Sequence, residues 1–78
     1  MKRIVVSKLL RLGFEKVNDF VYELSEEEVY IEVIYHRDEY IVRTEYFIRF
    51  DHITNRTVCT NAGEMFDHLK KAMNFDLH

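Results

Sequence analysis

The chain has 78 residues, 47% of them hydrophobic and 32% charged, a balance that excludes a disordered chain and allows one small core. Residues 1–78 are therefore expected to form a single small α+β domain. A core of this size buries only about 60% of the surface that the unfolded chain exposes, so support from a homodimer interface is expected.

Cys59 is the one cysteine, which rules out an intrachain disulfide and points to a reducing, cytoplasmic setting. The opening "MKRIVVSKLL" has a basic start, but Lys8 interrupts its apolar run and no small-residue cleavage site follows, so export is not expected. No run approaches the roughly 18 consecutive apolar residues of a membrane span. The glycosylation pattern at Asn55–Thr57 has no meaning without a secretory route.

The net charge of −3 is unevenly placed. Lys2, Arg3, Lys8, Arg11 and Lys16 stand against Glu15 alone, whereas residues 17–45 hold nine acids against Arg37 and Arg43. An electrically two-sided surface is expected.

In chain order, Val5, Val6, Leu9, Leu10 and Leu12 recur at helical spacing, and Gly13 suits a left-handed helix end, so the spacing predicts a helix over 3–12. From residue 19 the period changes to two. Phe20, Tyr22 and Leu24 mark a strand over 19–24, "SEEE" a polar connection, and Val29, Ile31, Val33 and Tyr35 one face of the next strand. Tyr40, Val42, Thr44, Tyr46, Ile48 and Phe50 form one face of a third. "DHITN" reads as a loop before a short fourth strand over 56–60. A last helix opens at Asn61, with Glu64 at capping-box spacing and an apolar stripe of Met65, Phe66, Leu69, Ala72 and Met73. The acid in its first turn and lysines near its end suit the helix dipole.

Cross-strand chemistry predicts the register. Pairing Tyr35 with Tyr40 sets Val33 against Val42, Ile31 against Thr44, Ile34 against Ile41 and Glu32 against Arg43, all compatible. Pairing Leu24 with Val29 then sets Tyr22 against Ile31 and Phe20 against Val33. The expected fold is α+β, a four-stranded antiparallel β-meander with N- and C-terminal helices packed on one face, in the order α-β-β-β-β-α. The other face would carry Tyr30, Ile34, Ile41 and Phe47 among Glu32, Arg43, Glu45 and Arg49, the candidate dimer or partner face.

The stretch "YHRDEY", Tyr35–Tyr40, gathers groups that resemble catalytic machinery, yet it fits a hairpin turn with Tyr35 and Tyr40 at its shoulders. Cys59 with His52 or His68 is the one formal nucleophile pairing, and no glycine-rich loop beside it offers an oxyanion site. Asp51, His52, Cys59 and His68 lack metal-motif spacing. Single glycines at Gly13 and Gly63 make no phosphate cradle. An enzyme, a cofactor and a metal are therefore not expected.

Two binding readings follow. Glu23, Glu26, Glu27, Glu28, Asp38, Glu39 and Glu45 would present negative charge on a fixed scaffold, suited to a basic site on another protein such as a nucleic-acid-handling enzyme. A very small, acidic, tyrosine-rich domain is of the same general kind as phage-encoded inhibitors of host defence, including anti-CRISPR proteins. The alternative is a small nucleic-acid-binding regulatory module using the basic first helix, with Tyr30, Tyr46 and Phe47 as stacking surfaces. Acidic strands oppose it, because they repel phosphates.

Overall fold

A computed structural model describes residues 1–74, with Asn74 traced by its backbone. The chain runs α1 (Arg3–Arg11), β1 (Glu15–Asn18), β2 (Val21–Ser25), β3 (Val29–His36), β4 (Glu39–Ile48), β5 (Asp51–Cys59) and α2 (Ala62–Asn74). The five strands form one antiparallel sheet in sequence order, flanked by the two helices. The α+β class is as expected; the strand count is five rather than four.

Helix α1 stops where the sequence predicts. Gly13 adopts φ +103°, its N–H bonds the Leu10 carbonyl at 3.1 Å, and the Phe14 N–H reaches the Leu9 carbonyl at 3.0 Å. This crossed pair is the Schellman closure of a helix, and it turns Phe14 into the core. Helix α2 starts with Asn61 Oδ1 accepting from the Glu64 N–H at 2.8 Å. The expected reciprocal bond is displaced by one residue: the Glu64 carboxylate accepts from the Thr60 N–H at 3.2 Å and hydroxyl at 2.8 Å.

The β3–β4 register is the expected one in every pair, from Tyr35 opposite Tyr40 to Ile31 opposite Thr44. The β2–β3 register differs by two residues, Leu24 lying opposite Ile31 and Tyr22 opposite Val33. A shift of two preserves each side chain's face, so the core set survives the correction. Strand β2 begins at Val21, and Phe20 lies exposed in the preceding turn, where its N–H is held by Asn18 Oδ1 at 2.8 Å.

Two further corrections follow from strand pairing. β1, "EKVN", is short and exposed throughout, so it has no apolar alternation to reveal it. "DHITN" is the first half of β5, paired residue by residue with β4 from Ile48–Asp51 to Tyr40–Cys59. The β4 strand ends at Ile48, which leaves Arg49 and Phe50 as a two-residue turn, with Phe50 fully exposed rather than facing the core.

The core lies between the helices and one sheet face. Val5 and Leu9 of α1 and Met65, Leu69 and Ala72 of α2 join one buried cluster with Tyr22, Leu24, Val29, Ile31, Val33, Tyr40, Val42 and Cys59. Leu10 and Leu12, counted with the apolar stripe of the first helix, are exposed. Replacing Gly13 by alanine forces a Cβ into a left-handed backbone, 3.5 Å from Leu24 Cδ1. Gly13→Ala is expected to lower unfolding free energy by about 1–2 kcal/mol in denaturant titration, whereas the exposed change Phe50→Ala stays within about 0.5 kcal/mol.

Candidate functional site

The sheet face away from the core is not covered by a helix among the described residues, and strand alternation fixes what it displays. Its residues form cross-strand rows. One row in from the His36–Glu39 pair that flanks the Arg37–Asp38 turn, Val21, Ile34, Ile41 and Val58 lie side by side across β2 to β5. The next row crosses all five strands as Glu15, Glu23, Glu32, Arg43 and Arg56. Ser25, Tyr30, Glu45 and Thr54 follow, and beyond them Phe47 stacks on His52 with ring centroids 4.6 Å apart.

The charged row is ordered by sign. Acids occupy β1 to β3 and arginines β4 and β5, so like charges are neighbours everywhere except at the β3–β4 seam. There Arg43 Nε donates to Glu32 at 3.2 Å, and its Nη1 donates to Glu45 at 3.1 Å. The same guanidinium lies 5.8 Å from the Tyr30 ring centre. Each half-exposed ion pair contributes about 0.2–1 kcal/mol, so their main effect is to fix where the charges stand.

The Tyr30 hydroxyl donates to Glu23 at 2.9 Å and lies 3.3 Å from Glu32, lodged between two carboxylates of adjacent strands. Burial, then the Glu23 hydrogen bond and the two negative charges, push its pKa up to about 12. Ionising it would place a third negative charge in the pocket.

The acids predicted to bind a partner do not share one surface. Glu26, Glu27 and Glu28 are exposed in the β2–β3 connection, and no cation pairs with them among the described residues. Asp38 and Glu39 lie at the opposite end of β3, about 26 Å away along an eight-residue strand. Asp38 accepts from the Tyr35 hydroxyl at 2.9 Å, and Glu23 and Glu45 belong to the open face. Of the predicted apolar face, Tyr30, Ile34, Ile41 and Phe47 are all on it, while Arg49 has moved to the turn. Val21, Arg56, Val58 and His52 were missed there. Reading "DHITN" as a loop hid His52, and Arg56 and Val58 fell in the expected fourth strand without a face being assigned, because polar residues on both faces of that strand give little period-two signal.

"YHRDEY" is the expected hairpin. The Tyr35 and Tyr40 rings sit 5.0 Å apart, and Arg37 and Asp38 both take positive φ in the two-residue turn that joins β3 to β4. Cys59 is buried on the core face, and burial pushes its thiol pKa up, away from a reactive thiolate. His52 lies on the opposite face, about 23 Å along the strand from Cys59. Among the described residues, no three His, Cys, Asp or Glu side chains are grouped to hold a metal.

On the helix side, Arg3, Lys8 and Arg11 line one surface with Ile4 and Ser7, and Lys8 Nζ is 4.6 Å from the Phe66 ring centre. Tyr46, suggested above as a stacking surface, packs against the core instead. A groove of about 340 Å³ runs between the helices, lined by Lys8, Leu12, Phe66, Asp67, Lys70 and Met73. No described helix is long and apolar enough to cross a membrane.

Compared with family models, curated proteins and solved structures, the chain matches none of them.

The Tyr30 shift has a consequence for stability. A folded-state pKa above the ordinary 10.0 means that the neutral phenol is favoured by folding. Its contribution is complete below pH 10 and is lost as pH rises through about 12. Tyr30→Phe should therefore show a shallower fall in unfolding free energy across that window than the wild type does. Equal slopes in denaturant titrations would contradict the placement of this hydroxyl.

Proposed function

We propose that this protein is a small, non-enzymatic protein-binding module, an acidic inhibitor or regulator of the phage anti-defence kind, that occupies a basic site on another protein. The observation that carries the reading is the β2–β3 connection, three consecutive exposed carboxylates, Glu26 to Glu28, without a pairing cation among the described residues. The other partner-binding candidates on the open face are neutralised or hydrogen-bonded within the chain: Arg43 takes Glu45, and Tyr30 takes Glu23.

The loop is presented by strands whose core-facing residues Leu24 and Val29 are buried, so its charges are fixed without their own packing. Exposed acids on such a scaffold speed encounter with a basic patch and disfavour acidic surfaces, phosphates included. Its own backbone is held too: the Glu26 N–H bonds the Val29 carbonyl at 2.8 Å, and the Glu28 carbonyl accepts from the Phe47 N–H at 2.8 Å.

The test is a triple reversal, Glu26→Lys with Glu27→Lys and Glu28→Lys, measured against a partner captured from native lysate. Affinity should fall about tenfold or more, chiefly through slower association and with a weaker salt dependence, while stability changes by less than about 0.5 kcal/mol per site. Unchanged affinity in a folded variant would overturn the reading.

A further inference from the structure

The rows of the open face are complementary to their own reverse. Along the β3–β4 seam, in three successive rows, each residue on β2 or β3 has a counterpart of matching chemistry at the same height on β5 or β4. Ile34 corresponds to Ile41 and Val21 to Val58; Glu32 corresponds to Arg43 and Glu23 to Arg56; Tyr30 corresponds to Glu45 and Ser25 to Thr54. A twofold axis lying along the seam, in the plane between two facing sheets, lays β3 over β4 and β2 over β5 of a second copy. Each of these three rows then meets itself reversed.

We propose that the open face is a homodimer interface built on this axis. Apolar residues meet apolar residues in the row of Val21, Ile34, Ile41 and Val58. In the charged row, Glu23 meets Arg56 of the second copy, and Glu32 meets its Arg43, each twice by symmetry.

Within one copy, the same row sets Glu23 directly opposite Glu32 and Arg43 directly opposite Arg56, arrangements that destabilise a sheet. A second copy places the opposite charge above each member. Turning the copy about an axis across the strands does worse, because Glu23 and Arg56 then face Ser25 and Thr54.

Size and geometry agree with this occupant. Four strands spaced about 4.8 Å apart and three rows about 6.8 Å apart span on the order of 400 Å² in projection, and the accessible surface of a corrugated face is larger. Standard interfaces bury about 800 Å² per partner. The axis runs parallel to the strands, so the two sheets stack with strands aligned, the common mode of sheet packing. It also brings both Glu26–Glu28 loops to one end of the assembly. The interface does not use those loops, so it stands or falls independently of the proposed function.

A charge swap tests it. Sedimentation velocity in the micromolar range should show a dimer for the wild type, and Arg56→Glu or Glu23→Arg alone should each weaken association about tenfold or more. The double variant, Glu23→Arg with Arg56→Glu, should restore the dimer, since each reversed residue again meets its opposite. Circular dichroism establishes that each variant keeps its fold. A monomeric wild type overturns the proposal and leaves the face to a different partner. So does a dimer that neither single change weakens, as pairing through the β5 edge would give, or a double variant that stays weak. The Glu26–Glu28 reversal should leave the dimer intact, which keeps the two tests separate.

Discussion

The β3–β4 pairing is the constraint on which the rest of the structure depends. It is the central hairpin of the sheet, and its register decides which residues of two long strands face the helices and which face away. A slip of one residue would turn one strand over against the other, replacing Val42 by Arg43 or Val33 by Glu32 beside the core. The turn that sets this register is not conformationally easy. Arg37 and Asp38 both hold positive φ, a region that favours glycine and asparagine, and the Tyr35–Tyr40 ring pair and the Tyr35–Asp38 hydrogen bond hold the chain there. The strand pairs beyond the turn outweigh its local cost.

Once that register is set, the two faces acquire different work. The inner face is closed by α1 and α2, and its buried polar groups include Thr44, the Cys59 thiol and the Tyr22 and Tyr40 phenols. The outer face is left with the alternate residues of the same strands, and those alternate residues carry the ordered charges. Arg43 sits at the centre of this arrangement, joined to Glu32 and Glu45 and lying over Tyr30. Because it lies at the seam where acids give way to arginines, it both stabilises the hairpin and marks the line about which the face reverses.

Much of this was legible in the sequence, and the reasons for the misses are physical. The β3–β4 register could be read because apolar, charged and aromatic pairs all agree on one alignment. The ends of both helices could be read from Gly13 and Asn61, whose conformational roles are specific. β1 could not, because four exposed residues leave no period to detect. The first half of β5 was hidden for a related reason: an edge strand with Thr54, Asn55 and Arg56 in its middle looks like a loop until β4 is seen to need a neighbour. The β2–β3 alignment was ambiguous because shifting by two residues keeps every face unchanged. The candidate surfaces suffered most from these gaps. The acids counted together as one surface are divided between two ends of the sheet and its open face, and the ordered rows appear only when β5 is placed.

The register of the central hairpin sets both faces of the sheet, and nuclear Overhauser contacts between strand Hα protons report it directly. The structure predicts close Hα–Hα contacts between Val33 and Val42 and between Ile31 and Thr44. Contacts displaced to Val33 with Arg43 or Val33 with Ile41 would contradict it, and with it the division of the strands into a core face and an open face.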